Sequence, residues 1–177
     1  MTRKYMSVKR LTTIGIMAAL MCVISPWSIQ IGPIPVTFAT LALYFISFFV
    51  GEKIGVVAVL IYILLGAVGL PVFSGFTGGL QRIMGITGGY IVGYIPCVYV
   101  SGLMIRRMPK KLGVYILAMT TGTCILYLTG ILWYVFQTEM SVTAAMMICV
   151  VPFVPADILK IVIASVFVQE VNKRKVL

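Results

Sequence analysis

An acid and a base lie close together in the last apolar stretch of the chain, within VPADILK. Asp157 and Lys160 are three residues apart, a spacing that places both side chains on one face of a helix. A charge at the centre of a membrane span costs about 2.5–3.5 kcal/mol on insertion scales, so such residues usually face a partner or a cavity. A carboxylate accepts hydrogen bonds and an ammonium donates them. The pair therefore suits a neutral ligand group with both N–H and C=O, such as a urea or an amide, or else forms a buried structural ion pair.

A second candidate region is the glycine-rich stretch from Gly69 to Tyr90, GLPVFSGFTGGLQRIMGITGGY. Each glycine costs roughly 1 kcal/mol against alanine in a helix, so this density of glycine predicts a loop. Arg82 suits a ligand carboxylate, or is a solvated loop arginine. Aromatic side chains here could pack an apolar ligand body. Together with Asp157 and Lys160, the candidate ligand-binding residues are Phe73, Arg82, Thr87, Gly88, Gly89 and Tyr90.

Several kinds of chemistry have no residues to support them. The chain has no histidine, which excludes Ser-His and Cys-His catalysis and most transition-metal sites. No GxxxxGK[ST] loop is present for ATP hydrolysis, and the four cysteines form no CxxC pair. We therefore expect neither an enzyme nor a metal site nor a bound cofactor.

Composition identifies the class of protein. Of the 177 residues, 61% are hydrophobic and 10% charged, with a mean hydropathy of +1.12, whereas soluble domains have about 25% charged residues. The net charge of +10 arises from short clusters at the ends of apolar runs, a pattern that favours membrane topology and anionic lipid over nucleic acid. We expect an all-α integral membrane protein with one domain over residues 1–177.

The apolar runs predict a bundle of six transmembrane helices. The runs span about 11–25, 36–50, 54–70, 87–105, 112–136 and 156–171. The basic start of the first run also occurs in signal peptides, but the run lacks a small-x-small cleavage pattern and more spans follow. Pro26, Pro33 and Pro35 predict a non-helical loop after the first helix. The last helix either begins at Pro155 or begins near residue 142 and is kinked; we favour the kinked form.

Basic residues predict the orientation of this bundle. With the N-terminus in the cytoplasm, 12 of the 14 lysines and arginines fall in inner segments, in agreement with the positive-inside rule. Both termini are then cytoplasmic, and the glycine-rich loop between helices 3 and 4 is on the outside. Only Arg82 and Lys160 remain, and both are expected in the outer half of the membrane.

The first helix carries small residues at helical spacing. Gly15 and Ala19 lie four apart, and Ala18 and Cys22 repeat the spacing. Small residues four apart let another helix approach closely. That helix is either a neighbour within the bundle or a separate membrane protein.

The motifs together resemble a known family. The chain resembles the BioY family, the biotin-specific substrate-binding (S) components of energy-coupling factor (ECF) transporters. The resemblance lies in GLPVFSGFTGG, GITGGY, the loop IGPIPVTF and the Asp-x-x-Lys of the last helix. The resemblance covers about residues 11–171. The family usually has GPTGGY, where this chain has Ile86 in place of the proline.

The resemblance implies a function and partners. Such proteins are six-helix binders that capture biotin from outside and work with a transmembrane coupling protein and two cytoplasmic ATPases. It assigns Asp157 and Lys160 to the ligand, and Arg82 less directly. The face with Gly15, Ala18 and Ala19 matches the position where such components meet the coupling protein. Another small vitamin as ligand, or a self-sufficient secondary transporter, is the alternative.

Overall fold

The computed structural model describes residues 8–174, and most of this backbone is helical. The elements in chain order are α1 (Val8–Ile24), β1 (Ser28–Ile29), β2 (Val36–Thr37), α2 (Ala39–Ala67), α3 (Leu80–Met84), α4 (Gly88–Arg107), α5 (Leu112–Thr138), α6 (Val142–Cys149) and α7 (Val154–Arg174). Arg3, Lys4 and Lys175, which contribute to the predicted orientation, lie outside the described residues.

The expectation of an all-α membrane protein is confirmed. Within residues 8–174, α2, α4 and α5 are each long and apolar enough to cross a membrane. The α6–α7 pair meets the same criteria as one span bent by 50°. The count of six crossings and the cytoplasmic position of both termini stay predictions.

Helix α2 contains both the second and the third predicted spans. One residue inside it, Gly51, is non-helical, with φ 68° and ψ −173°. Only glycine adopts this backbone region without strain. Gly102 of α4 packs against this break, since a Cβ added there would lie 2.6 Å from the Glu52 nitrogen. The two predicted spans are therefore two segments that meet at Gly51.

The last apolar region contains two helices that are bent by 50°, so one helix begins near residue 142 and another begins beside Pro155. Ser141 caps α6 by accepting a hydrogen bond from the Ala144 nitrogen. Residues 150–153 form turns, after which α7 begins at Val154. The break places Phe153 and Asp157 beside each other at the start of α7.

The two non-helical regions pack together at one end of the bundle. The loop after α1 forms a short antiparallel hairpin that pairs Ser28 with Thr37, which the prolines alone did not predict. The glycine-rich stretch is irregular as expected as far as Thr87, apart from α3. Its Gly75 nitrogen donates to the Pro26 carbonyl at 2.9 Å, which joins the two loops.

Helices α2, α4, α5 and α7 surround the interior. Helix α4 packs against both α2 and α5, while α7 packs against α2 and α5, and α1 packs against α2. The largest buried cluster extends from Leu43 and Tyr62 of α2 to Tyr94 of α4 and Leu126 of α5. This arrangement brings the start of α4, the start of α7 and both loops to the same end.

Candidate functional site

A chamber lies where the two loops cover the helices. Its walls come from the hairpin and the glycine-rich stretch above, and from α2, α4, α5 and α7 below. About 580 Å³ of space, which includes open solvent at the mouth, lies between the lining atoms. The centre of a water molecule can reach only about 40 Å³ of it, so the side chains lie close around it.

The charged pair predicted from the last helix forms the polar end of this chamber. Lys160 Nζ lies 2.8 Å from Asp157 Oδ1, and both residues line the chamber. The ammonium also donates to the Thr37 carbonyl at 2.7 Å and to Thr40 Oγ1 at 3.0 Å. Its three protons thus each have an acceptor.

The carboxylate of Asp157 has two further donors. Thr40 Oγ1 donates to Oδ1 at 3.0 Å, and the Tyr127 hydroxyl donates to Oδ2 at 2.7 Å. Oδ1 is therefore fully used, while among the described residues Oδ2 accepts only from Tyr127. A carboxylate oxygen accepts about two hydrogen bonds, so Oδ2 retains capacity for one more donor.

Burial explains why this network is so complete. Asp157 is 3% exposed and Lys160 is 8% exposed. A buried ion pair is tolerated only when further hydrogen bonds satisfy both charges, which Thr37, Thr40 and Tyr127 do here. The two groups neutralise each other and also line a cavity, and their binding of a ligand stays a prediction.

Aromatic rings form much of the remaining wall. Tyr90 stacks on Phe153 with ring centroids 5.7 Å apart, and Tyr62 meets Phe73 edge-on at 5.6 Å. The Tyr90 hydroxyl donates to the Cys149 carbonyl, which joins α4 to the end of α6. Tyr94 completes the same wall. Such a surface suits an apolar or planar ligand body.

Six of the eight predicted ligand-binding residues line this chamber. They are Phe73, Arg82, Thr87, Tyr90, Asp157 and Lys160. Arg82 is exposed on α3, and it forms no ion pair within residues 8–174. The Thr87 hydroxyl donates to the Arg82 carbonyl at 3.1 Å, which ties α3 to the start of α4.

The other two predicted residues lie outside the lining. Gly88 and Gly89 pack against α5, where a Cβ added to Gly89 would lie 2.3 Å from Trp133 Cβ and 2.7 Å from the Thr129 carbonyl oxygen. An added Cβ at Gly88 would overlap the Ile83 carbonyl. These glycines therefore let α4 approach α5 and α3 closely, which positions Tyr90.

Sequence reasoning missed Thr40, Tyr127 and Tyr94. Each is one of several hydroxyl-bearing residues in a long apolar helix, so the sequence does not distinguish it from the others. Thr40 is 117 residues from Asp157 along the chain, and Tyr127 is 30 residues away. A tyrosine well inside a span, away from the interface where tyrosine is common, was the only signal available for Tyr127 and Tyr94.

The small residues of α1 divide between two faces. Ala18 is buried with Ile14 against Ala58 of α2. Gly15 and Ala19 are exposed, and an added Cβ at Gly15 would meet no atom within 4 Å. Ala18 thus packs inside the bundle, while Gly15 and Ala19 leave an open face.

Residues 8–174 contain no group of three metal-ligating side chains. The same residues hold four free cysteines, of which Cys124 is exposed on α5 and Cys97 and Cys149 are buried. The side chains that line the chamber offer hydrogen bonding, charge pairing and apolar contact.

Comparisons with known proteins agree with this description. A model of the BioY family matches residues 1–176. The chain is 35% identical to the biotin transporter BioY of Thermotoga maritima over 95% of this chain and 98% of that protein. It is 31% identical to the probable biotin transporter BioY of Pyrococcus horikoshii over 94% of this chain and 98% of that protein.

A solved structure has the same fold. The crystal structure of the S-component for biotin from an ECF-type ABC transporter matches with a TM-score of 0.85 and 25% sequence identity, over 98% of this chain and 95% of that chain. By its sequence and its fold, the chain belongs to the BioY family, and it is a multi-pass protein of the cell membrane and not an enzyme.

Proposed function

We propose that this chain is the biotin-binding component of a vitamin uptake transporter, with the chamber as the binding site and residues 1–177 as its single substrate-binding domain. The observation that carries the proposal is the arrangement of charge within one cavity. A carboxylate and an ammonium lie together at the polar end, and the guanidinium of Arg82 borders the same space from an exposed helix. Biotin has a urea-like ring, an apolar middle and a carboxylate tail, which fit these groups.

The ring would bind at the polar end. A ring N–H can donate to Asp157 Oδ2, which has capacity for one more donor. The ring carbonyl would accept from Lys160, whose protons are used by Thr37, Thr40 and Asp157. Binding therefore requires one of these acceptors to be replaced, and the Thr37 carbonyl in the loop hairpin is the one that a loop movement can withdraw.

The tail would extend toward Arg82. An arginine can hold a carboxylate through two parallel N–H donors. Tyr90, Phe73 and Phe153 would surround the apolar middle. Because the chamber is narrow as it stands, we infer that the hairpin and the glycine-rich stretch separate to admit the ligand.

Inward release would depend on partners. We propose a transmembrane coupling protein and two cytoplasmic ATPases, as the family resemblance implies. The exposed face with Gly15 and Ala19 is the proposed docking surface, supported by the open space beside Gly15. Ala18, which packs on Ala58, supports that helix from within.

Equilibrium binding of labelled biotin to the purified chain in detergent tests the ligand assignment. Unlabelled biotin should displace the label, whereas riboflavin and thiamine should not. Binding of riboflavin or thiamine with no binding of biotin would contradict the specificity. Uptake by cells that lack every coupling partner, abolished by an uncoupler, would favour a self-sufficient secondary transporter.

A further inference from the structure

A second cavity lies at the opposite end of the bundle from the chamber. It is formed where the break at Gly51, the end of α4, the start of α5 and the last turn of α7 meet. The centre of a water molecule can reach about 330 Å³ of it, against about 40 Å³ in the chamber. From Asp157 at the chamber to Asn172 at this cavity, α7 advances roughly 22 Å.

One wall of this cavity carries a buried hydroxyl without a partner. Tyr115, in the first turn of α5, is 1% exposed, and its hydroxyl has no hydrogen-bond partner within residues 8–174. Buried polar groups are nearly always hydrogen-bonded, so each exception needs an explanation. Tyr115 is one of the residues that line the cavity, so a partner for its hydroxyl can approach from that side.

The other polar groups around the cavity are mainly donors. Arg106, Lys110 and Asn172 line it. The carboxylate of Glu52 contacts Arg106 Nη2 at 2.5 Å, but a guanidinium has five N–H donors, so others stay available. Lys110 is exposed and forms no ion pair in the part of the chain that the structure describes.

The charge around the cavity remains positive once the nearby acid is counted. Glu52 offsets one of the two lining cations, which leaves the second. Glu170, on α7, contacts Lys173 at 2.6 Å and so offsets a different cation. A group with several negatively charged acceptor oxygens matches two cations, an amide and a free hydroxyl.

We propose that this cavity binds the phosphate of an anionic lipid headgroup. The apolar surface at its rim favours a lipid over a free anion. Phe48 and Phe49 line the cavity with ring centroids 5.0 Å apart, and Phe49 is 43% exposed. Phe45 and Phe167 continue this aromatic strip along the outside of the bundle. Acyl chains can lie on the strip while the phosphate enters the cavity.

The predicted orientation is consistent with this ligand. Under the positive-inside rule this end of the bundle is cytoplasmic. The inner leaflet is enriched in anionic lipids, and basic pockets between membrane helices bind the headgroups of such lipids. The Tyr115 hydroxyl would donate to a phosphate oxygen, together with Lys110 and Arg106.

Native mass spectrometry of the purified chain in mixed micelles tests the site. We expect the chain to retain phosphatidylglycerol in preference to zwitterionic phosphatidylcholine. Tyr115→Phe and Lys110→Gln should each lower the retained phosphatidylglycerol at least about fivefold, since each removes a hydrogen bond to a charged group. Glu52→Gln should leave retention equal or raise it, because it removes the opposing negative charge.

Matched controls separate a site from a general attraction of basic surfaces. Arg107 and Lys111 are exposed basic neighbours that do not line the cavity, so Arg107→Gln and Lys111→Gln should retain the lipid. Equal loss in these controls, or no preference for phosphatidylglycerol, would overturn the proposal. Stabilisation of the wild-type chain by sodium phosphate, as large as that by the lipid, would show a soluble-anion site instead and would also overturn it.

Thermal unfolding provides a second readout for Tyr115→Phe. A ligand that binds the folded state raises the apparent melting temperature. Without lipid, the variant should be at least as stable as the wild type, because it no longer buries an unpartnered hydroxyl. With phosphatidylglycerol the wild type should gain stability and the variant should gain less; equal gains would contradict the assignment.

Discussion

Two side chains of opposite charge in α7, Asp157 and Lys160, are the residues that we propose hold the polar end of the ligand. Asp157 and Lys160 satisfy each other at 2.8 Å, yet the carboxylate retains one unused acceptor position that borders the chamber. A pair that served structure alone would need no cavity beside it. Their substitution should therefore affect binding more than it affects folding.

Asp157→Asn and Lys160→Ala should each weaken biotin binding at least tenfold, or about 1.4 kcal/mol. Each removes a charged partner of the proposed ligand ring. Equilibrium binding to the purified variants measures the effect.

Glu52→Gln is the matched control for this prediction. Glu52 is also a buried carboxylate in an ion pair, with Arg106, but at the far end of the bundle. The Glu52→Gln variant should lose about as much stability as the Asp157→Asn and Lys160→Ala variants, but its affinity for biotin should be unchanged. Equal loss of affinity in all three variants would mean that breaking any buried pair disturbs the fold.

Tyr127→Phe tests the hydrogen bond to Asp157 without changing charge or ring packing. We expect a loss of affinity of about three- to tenfold, because the carboxylate loses the donor that orients it. Tyr44→Phe is the control, since Tyr44 is a buried tyrosine bonded to Thr123 at 2.6 Å and does not line the chamber. Isothermal titration measures the affinity of both variants for biotin. A larger loss of affinity in Tyr44→Phe than in Tyr127→Phe would contradict the proposed site.

At the scale of elements, the break in α2 depends on one glycine. Gly51 has a φ of 68° and ψ of −173°, which a side chain makes strained. Gly51→Ala should lower the free energy of unfolding by about 1–3 kcal/mol. Gly15→Ala, at an open helical position, should be neutral or stabilising. Thermal unfolding in detergent compares the two variants. Equal melting temperatures would mean that the backbone at residue 51 adjusts to the side chain without strain.

The exposed face of α1 should matter for transport but not for binding. Gly15→Leu adds a bulky side chain where the bundle leaves open space, so binding should be unchanged while uptake in cells with the coupling partners falls at least about fivefold. Cys124→Leu places the same side chain at an exposed position on α5 and should leave uptake normal. Loss of both binding and uptake in Gly15→Leu would place this face inside the bundle.

At the scale of the whole molecule, the two ends differ in loop chemistry and in charge. The chamber end has the glycine-rich loop and the hairpin, and the other end has most of the basic residues among residues 8–174. The positive-inside rule predicts that the chamber faces outside, where we propose that the ligand is captured.

Cysteine accessibility in cells measures this orientation. Leu80→Cys, on exposed α3, should react with a membrane-impermeant maleimide in intact cells, while Lys111→Cys should react only after permeabilisation. The parent chain, with its four native cysteines, gives the background. Reaction in the opposite order would reverse the predicted topology and the direction of capture.

The sequence by itself determined the class of protein, the irregular glycine-rich segment and the expectation that Asp157 and Lys160 face the interior of the bundle. These features follow from local properties: hydropathy, the helix cost of glycine, and the cost of a charge inside lipid. The family was also recognisable, because GLPVFSGF and TGGY are short contiguous motifs. The bend before α7 could be anticipated because proline acts on its own segment.

The tertiary structure alone decided which residues meet. Thr40 and Tyr127 contact Asp157 from different helices, and nothing in an isolated apolar helix marks one hydroxyl as a partner for a distant carboxylate. Gly88 and Gly89 pack against α5 and α3, although their motif pointed to the ligand. Lateral contacts between helices depend on how their side chains interlock, which is a property of pairs of helices and has no signal in the sequence of either one.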